Sequence, residues 1–338
     1  FTTIKFLNNL NNQIRNSVHV QIQKSFTQQY DKQLALRHNY FQKNELPIFK
    51  NILAFSLMGF LSGAEKELNP EEEIVMTMKR AIICVQREQY SQAEQLLHIA
   101  LNMAQKQNNQ NAITYIYDLM ANLAMERNEP MKAKNLFVNV MQRLLQSGIE
   151  EGDLKVVHIS LKVANVHVQM GYLEEAEIGY VWCIDKLEHK TDNDSLLLRG
   201  ISYDYYAQLL LTQNRVKKAI DCLKSAYDIC VQVLGITSNQ SIKLLNDLGS
   251  AYWRAGDLSN AESYFKKSLS LIQISGNESY TGVLKYNLGT LLMEKGLYKD
   301  SQQMCKEAWH FAKASNDNNL LERASDCLDN VKSKINSK

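Results

Sequence analysis

Residues 249–268 read GSAYWRAGDLSNAESYFKKS, and their spacing decides the fold. Small Ala261 is followed four positions later by bulky Phe265 and seven later by small Ser268. Another small residue, Gly249, stands twelve positions upstream, and Gly256 and Asp257 mark a turn between them. Small residues at such points let two helices approach closely, while the large ring fills the groove beside them. The stretch therefore reads as one antiparallel helical hairpin. The same marks recur as Ala93/Leu97/Ala100, Ala133/Phe137/Val140, Ala176/Tyr180/Cys183, Ala219/Leu223/Ala226 and Ser301/Cys305/Ala308. The upstream small residues are Ala81, Ala121, Ala164, Ala207 and Gly289.

Successive markers lie 40, 43, 43, 42 and 40 residues apart. Self-similarity at a fixed period signals a solenoid, and this small/large pattern resembles the tetratricopeptide repeat, whose usual period is about 34 residues. The surplus is expected in longer helices or loops. Turn signals within the units are Asn128 to Pro130, Gly171, Asn214, Gly256 and Gly296, residue types that end one helix in the left-handed region or open the next. The longest interruption is read at His189–Asp194, and a last helix over roughly Leu320–Ile335 caps the exposed end. The fold class read from these features is all-α. It is a tetratricopeptide-type right-handed α-solenoid of about six helical hairpins plus a capping helix, preceded by a short hydrophobic anchor helix. The domains are a basic N-terminal arm (1–45), a single transmembrane helix (46–64) and the repeat solenoid (65–338).

At 338 residues the chain exceeds a typical single domain, a limit that a solenoid escapes because each repeat packs only on its neighbours. Three prolines favour long uninterrupted helices. The net charge of +2 gives no argument for nucleic acid, but it is uneven. Residues 1–50 carry seven Lys/Arg and two acids, or +5, which leaves −3 for the remainder. An acid-poor, arginine-containing front resembles a mitochondrial presequence. The expectation is that any presequence was removed ahead of Phe1, leaving 1–45 as a retained, ordered basic arm.

Residues 46–64 read LPIFKNILAFSLMGFLSGA. As a helix these nineteen residues span about 28 Å, close to the roughly 30 Å of a bilayer core. Basic residues precede the segment and Glu65, Glu67, Glu71, Glu72 and Glu73 follow it. The positive-inside tendency then places the arm on the negative side of a membrane. A buried capping helix of the solenoid is the competing reading of the same residues.

The first helix of each unit lines the inner, concave face of such an array. The inward positions are read as Asp118 and Asn122, Leu161 and Asn165, Asp204 and Gln208, Asn246 and Ser250, and Tyr286 and Thr290. Amides and hydroxyls in a row suit an extended peptide backbone, while Leu161, Trp253 and Tyr286 offer apolar pockets. A groove that captures a C-terminal carboxylate needs Lys or Arg there, and Asp118 and Asp204 argue against one. Lys162 and Lys243 are the nearest basic residues and do not form a two-lysine clamp.

No phosphate-binding loop, nucleophile elbow or HExxH zinc motif occurs. His158 and His167 lie nine apart, outside the i, i+4 relation a helical metal site uses. The six cysteines form no CxxC pair; Cys84, Cys183 and Cys305 fall on packing positions and read as small buried thiols. The aromatic residues recur at packing spacing in a net acidic array, so base stacking is disfavoured. The expectations are no catalytic residue, no cofactor, no metal and no nucleic-acid partner.

Residues 112–124, AITYIYDLMANLA, resemble the mitochondrial tetratricopeptide repeat protein 19 family, as do Gly179, Tyr180, Cys183, Leu187 and Glu188, and residues 288–313. The basic leader, short apolar segment and following acids agree with it. Departures are a short loop at 189–195 and Ser301, where alanine is usual. The resemblance implies attachment to the mitochondrial inner membrane through lipid contact at 46–64, with the repeats facing the intermembrane space. It implies a non-catalytic role as a binding subunit or an assembly and maintenance factor of respiratory complex III (cytochrome bc1). That role includes support of Rieske subunit turnover, and the partners are complex III subunits including the Rieske protein. Asp118 and Asn122 match groove-facing family positions. The alternative is a soluble cytosolic scaffold or cargo adaptor resembling kinesin light chain repeats.

Overall fold

The computed structural model describes residues 69–276 and 278–336. The basic arm and the apolar segment 46–64 lie outside the described residues. Among the described residues there are thirteen α-helices and no strand, and no helix is long and apolar enough to cross a membrane. The chain divides into two compact units.

The described part of the first unit is one hairpin, α1 (Pro70–Gln86) and α2 (Tyr90–Lys106), together with the short stretch Glu126–Asn128. Its start is set locally. The Asn69 side chain accepts from the Glu72 amide at 2.8 Å, and the Glu72 carboxylate accepts from the Asn69 amide at 3.0 Å. This reciprocal box satisfies two amides that no helical carbonyl reaches. Pro70 opens the helix, where a missing N–H costs nothing, and Glu71 to Glu73 complement the positive helix end. Ile74, Met78 and Ala81 of α1 are buried with Ala93, Leu97, Ala100 and Ala104 of α2. Gln107 donates to the Pro70 carbonyl at 3.0 Å.

The second unit contains five more hairpins and a last helix. They are α3 (Gln110–Glu126) with α4 (Pro130–Gln146), α5 (Leu154–Gln169) with α6 (Leu173–Lys186), and α7 (Asn193–Thr212) with α8 (Val216–Leu234). Then come α9 (Asn239–Arg254) with α10 (Leu258–Ser275), and α11 (Thr281–Glu294) with α12 (Tyr298–Ala314). The single helix α13 (Asn318–Asn336) closes the series. Six tetratricopeptide-type hairpins and a terminal helix are thus present among the described residues.

Every small/large mark of the sequence is buried. Ala133, Phe137, Ala176, Cys183, Ala219, Leu223, Ala261, Phe265, Ser268, Ser301 and Cys305 are all 0% exposed. The need for small partners is steric. A methyl group added to Gly249 would lie 2.6 Å from the Phe265 ring, and one on Gly289 would lie 2.6 Å from the Cys305 sulfur. Hairpins then share a core: Ala121, Ala124 and Met125 of α3, Ala133, Phe137 and Val140 of α4, and Ile159 and Val166 of α5 form one cluster.

The turns inside the units carry positive φ at Asn128 (57°), Gly171 (80°), Asn214 (60°), Gly256 (82°) and Gly296 (76°), the positions marked by the sequence. In the first hairpin Glu88 holds this conformation (φ 59°) with neither Gly nor Asn to signal it. The stretch read as the longest loop, His189–Asp194, is displaced toward the N-terminus: the interruption runs over residues 187–192, and the connection over 147–153 is longer by one residue. Asp192 accepts from the Ser195 amide at 2.9 Å, so α7 already begins at Asn193.

The close approach at Gly249 gives a stability prediction. Gly249→Ala should lower the unfolding free energy by about 1–3 kcal/mol through overpacking, although alanine is the better helix former by about 1 kcal/mol. Adding Phe265→Leu should recover part of the loss. Urea unfolding reads both, and an unchanged or raised midpoint for Gly249→Ala would contradict the contact.

Candidate protein-binding face

The first helices of the hairpins in the second unit (α3, α5, α7, α9, α11) carry the ten residues singled out in the sequence. Their polar groups mostly meet each other. Between α3 and α5, the Lys162 ammonium donates to both Asp118 oxygens at 2.8 and 3.0 Å. The Asn122 amide reaches the same carboxylate at 3.4 Å, and the Lys162 cation lies 5.4 Å from the Phe137 ring centroid. Between α7 and α9, Lys243 donates to Asp204 at 3.2 Å and to Asp247 at 3.1 Å. Gln208 lies 3.4 Å from Asp204. Between α9 and α11, the Asn287 amide donates to the Asn246 carbonyl oxygen at 2.8 Å. These rungs join residues 44, 39 and 41 positions apart, about one repeat in each case.

Three of the other four polar candidates bond within their own hairpins. Asn165 accepts from the Tyr180 hydroxyl at 2.5 Å. The Ser250 hydroxyl donates to the Asn246 carbonyl at 3.0 Å, and Thr290 donates to the Tyr286 and Asn287 carbonyls. Tyr286 lies under Arg323 of α13, whose guanidinium carbon is 4.3 Å from the ring centroid.

Burial sorts the ten. Asp204, Gln208 and Asn246 are buried, whereas Asp118, Asn122, Asn165, Ser250, Tyr286 and Thr290 keep partial exposure. Leu161 is a correction. It is 0% exposed and offers no pocket, because it lies on the side of α5 that packs inward with Val157 and Ala164. Trp253, another expected apolar pocket, donates its indole N–H to Glu294 at 2.5 Å.

The electrostatics follow from this packing. Lys243 stands between two carboxylates, and all three side chains are at most 12% exposed. Partners held out of water in this way interact strongly, and losing one leaves the others uncompensated. Lys162 and Lys243 are therefore committed to protein carboxylates and do not present a clamp for a terminal carboxylate. His158 sits one turn before Lys162; burial, reinforced by the Lys162 cation, pushes its imidazole down to about 3, against an opposing pull from Asp118. Burial pushes the Cys183 thiol up to about 12 and the Cys222 thiol up to about 11. Thiols held protonated are poor nucleophiles. Among the described residues no three His, Cys, Asp or Glu side chains gather as metal ligands.

Cys305 and Cys327 correct the reading of Cys305 as a free buried thiol. They form a disulfide between α12 and α13, with Cα atoms 6.0 Å apart, an ordinary span for such a bond. Spacing along the sequence gave no sign of it, since no CxxC motif is involved.

Stacked hairpins with this small/large core define a tetratricopeptide repeat protein. A family model described as tetratricopeptide repeat matches residues 198–273. The tetratricopeptide repeat protein 19 homolog, mitochondrial, of Drosophila melanogaster is 36% identical over 288 residues, covering 84% of this chain and 78% of that one. Tetratricopeptide repeat protein 19, mitochondrial, of Homo sapiens is 31% identical over 262 residues, covering 73% and 69%. The chain belongs to the mitochondrial tetratricopeptide repeat protein 19 family. Among solved structures, the apo form of the quorum sensor NprR from B. thuringiensis superimposes with a TM-score of 0.65 at 16% identity, covering 94% of this chain and 90% of that one, a likeness of fold. Arrays of this kind typically serve as non-catalytic scaffolds.

Two outcomes are expected. Lys243→Met should cost about 3–5 kcal/mol of stability by leaving two buried carboxylates facing each other. Asp204→Asn in that background should restore part of it in a denaturant double-mutant cycle; full additivity would refute the rung. His158 favours its neutral form in the folded state, so stability should fall as pH drops below 6.5, the ordinary histidine value, by at most about 1.4 kcal/mol per pH unit. His158→Gln should flatten unfolding curves between pH 6.5 and 5, above the carboxylate range; an unchanged slope would count against a buried neutral imidazole.

Proposed function

We propose that this chain is a non-catalytic, protein-binding subunit or assembly and maintenance factor of respiratory complex III in mitochondria, supporting turnover of the Rieske subunit. The observation that carries this reading is family membership across 84% of the chain. The array supports the binding role: the buried Cys183 and Cys222 thiols are held protonated, and its inner polar groups knit repeats together. Residues 46–64 anchor the protein in the inner membrane, and the repeats face the intermembrane space. The Cys305–Cys327 disulfide favours that side, because strongly reducing compartments keep such pairs as thiols.

The binding surface within this proposal is the partly exposed remainder of the inner face: Asn122, Asn165, Ser250, Tyr286 and Thr290. Docking there relies on shape and scattered hydrogen bonds, since the two inner lysines already hold carboxylates.

The tagged protein in intact mitochondria should co-purify with cytochrome bc1, and its loss should let Rieske N-terminal fragments accumulate. Thr290→Arg should weaken the co-purification at least tenfold with the urea midpoint unchanged. Quantitative mass spectrometry checks all three. Absence of bc1 subunits from the purified material would overturn the assignment, and release by carbonate would favour the soluble scaffold instead.

A further inference from the structure

The terminal helix α13 is held by a thin stripe. Its buried residues are Leu320, Ala324, Cys327 and Val331, two of them small. Cys327 and Val331 cluster with Cys305 of α12, against Tyr286 and Met293 of α11 and Tyr298 of α12. At its start, Leu320 seats against Gly282, where an added methyl group would lie 2.7 Å from the leucine. A cleft opens beside that contact, lined in part by Val283, Phe311, Asp317 and Leu320. The connection to α12 is short and contains Asn316 at φ 55°. Apart from the disulfide, α13 is held mainly by Leu320 and Val331, two small residues, the half-buried Leu328 and the Arg323 contact with Tyr286.

We propose that the Cys305–Cys327 bridge is a reversible redox latch on α13. Closed, it holds the terminal helix over the last hairpin and keeps Arg323 on the Tyr286 ring. Opened, it releases α13 and bares Tyr286 together with the inner side of α11.

The chemistry is thiol–disulfide exchange with a dithiol or monothiol reductant. The reductant's thiolate attacks Cys327 Sγ, a new S–S bond forms to Cys327, and Cys305 leaves as a thiolate that takes up a proton. A second reductant thiolate then displaces Cys327, giving two protein thiols and one reductant disulfide. Closure is the reverse, with a small-molecule or protein disulfide as oxidant. Both sulfurs belong to buried residues, Cys305 at 0% and Cys327 at 2% exposure, so attack waits on opening of α13. A terminal helix with one packed stripe supplies that opening at the low end of the protein's local stabilities.

Hydrogen exchange on the full chain tests the latch, comparing oxidised protein, protein treated with a thiol reductant under native conditions, and Cys327→Ala. Amides of 318–336 should exchange at least tenfold faster in the reduced protein and in Cys327→Ala than in the oxidised protein, while those of 193–212 stay unchanged. Mass spectrometry after alkylation should show two fewer labelled thiols in the oxidised protein. Three results would overturn the proposal: equal exchange of the cap in all three samples, a bridge that resists the reductant in the folded protein, or six labelled thiols without reduction.

Discussion

The contact on which the structure depends is that of a small residue on one helix with a large residue on the next. Gly249 against the Phe265 ring, and Gly289 against the Cys305 sulfur, bring their helices so close that no Cβ fits between them. That distance lets both helices share one core, and shared cores such as Ala121, Phe137 and Ile159 join one hairpin to the next. A helical hairpin alone cannot bury its apolar face, so stability comes from the neighbour. The period of the marks, near 42 residues, is thus the period of the energetics as well.

Stacking has a chemical consequence on the inner face. Polar side chains brought together out of water must pair. Lys162 meets Asp118, Lys243 meets Asp204 and Asp247, and Asn287 meets Asn246. The groups that seemed free to grip a peptide backbone are, for the most part, mortar between repeats. What remains for a partner is a surface of scattered amides, hydroxyls and one tyrosine. In the proposed binding role, such a surface would select by fit over several repeats and not by one strong charge pair.

Much of this was legible in the sequence because the signals are local. The small/large marks act within seven residues, and the turns announce themselves through Asn128, Gly171, Asn214, Gly256 and Gly296. Glu88 escaped because a left-handed glutamate carries no compositional sign. The inner rungs escaped because each partner lies a whole repeat away, so Lys162 looked unattached to Asp118 until the register of α3 and α5 was known. Leu161 was assigned to the groove by position in the repeat, yet its side of α5 faces the core. The Cys305–Cys327 pair, 22 residues apart, depends on how α13 turns back on α12, which the spacing of cysteines does not encode.

Family membership and an array held together by its own inner polar groups support the role proposed above, a docking protein whose repeats engage complex III from the intermembrane side. Crosslinking mass spectrometry on intact mitochondrial membranes tests this most directly. The account predicts lysine crosslinks from the repeat array, through exposed residues such as Lys132, Lys217 and Lys299, to cytochrome bc1 subunits. Crosslinks confined to matrix proteins, or to partners unrelated to that complex, would contradict it.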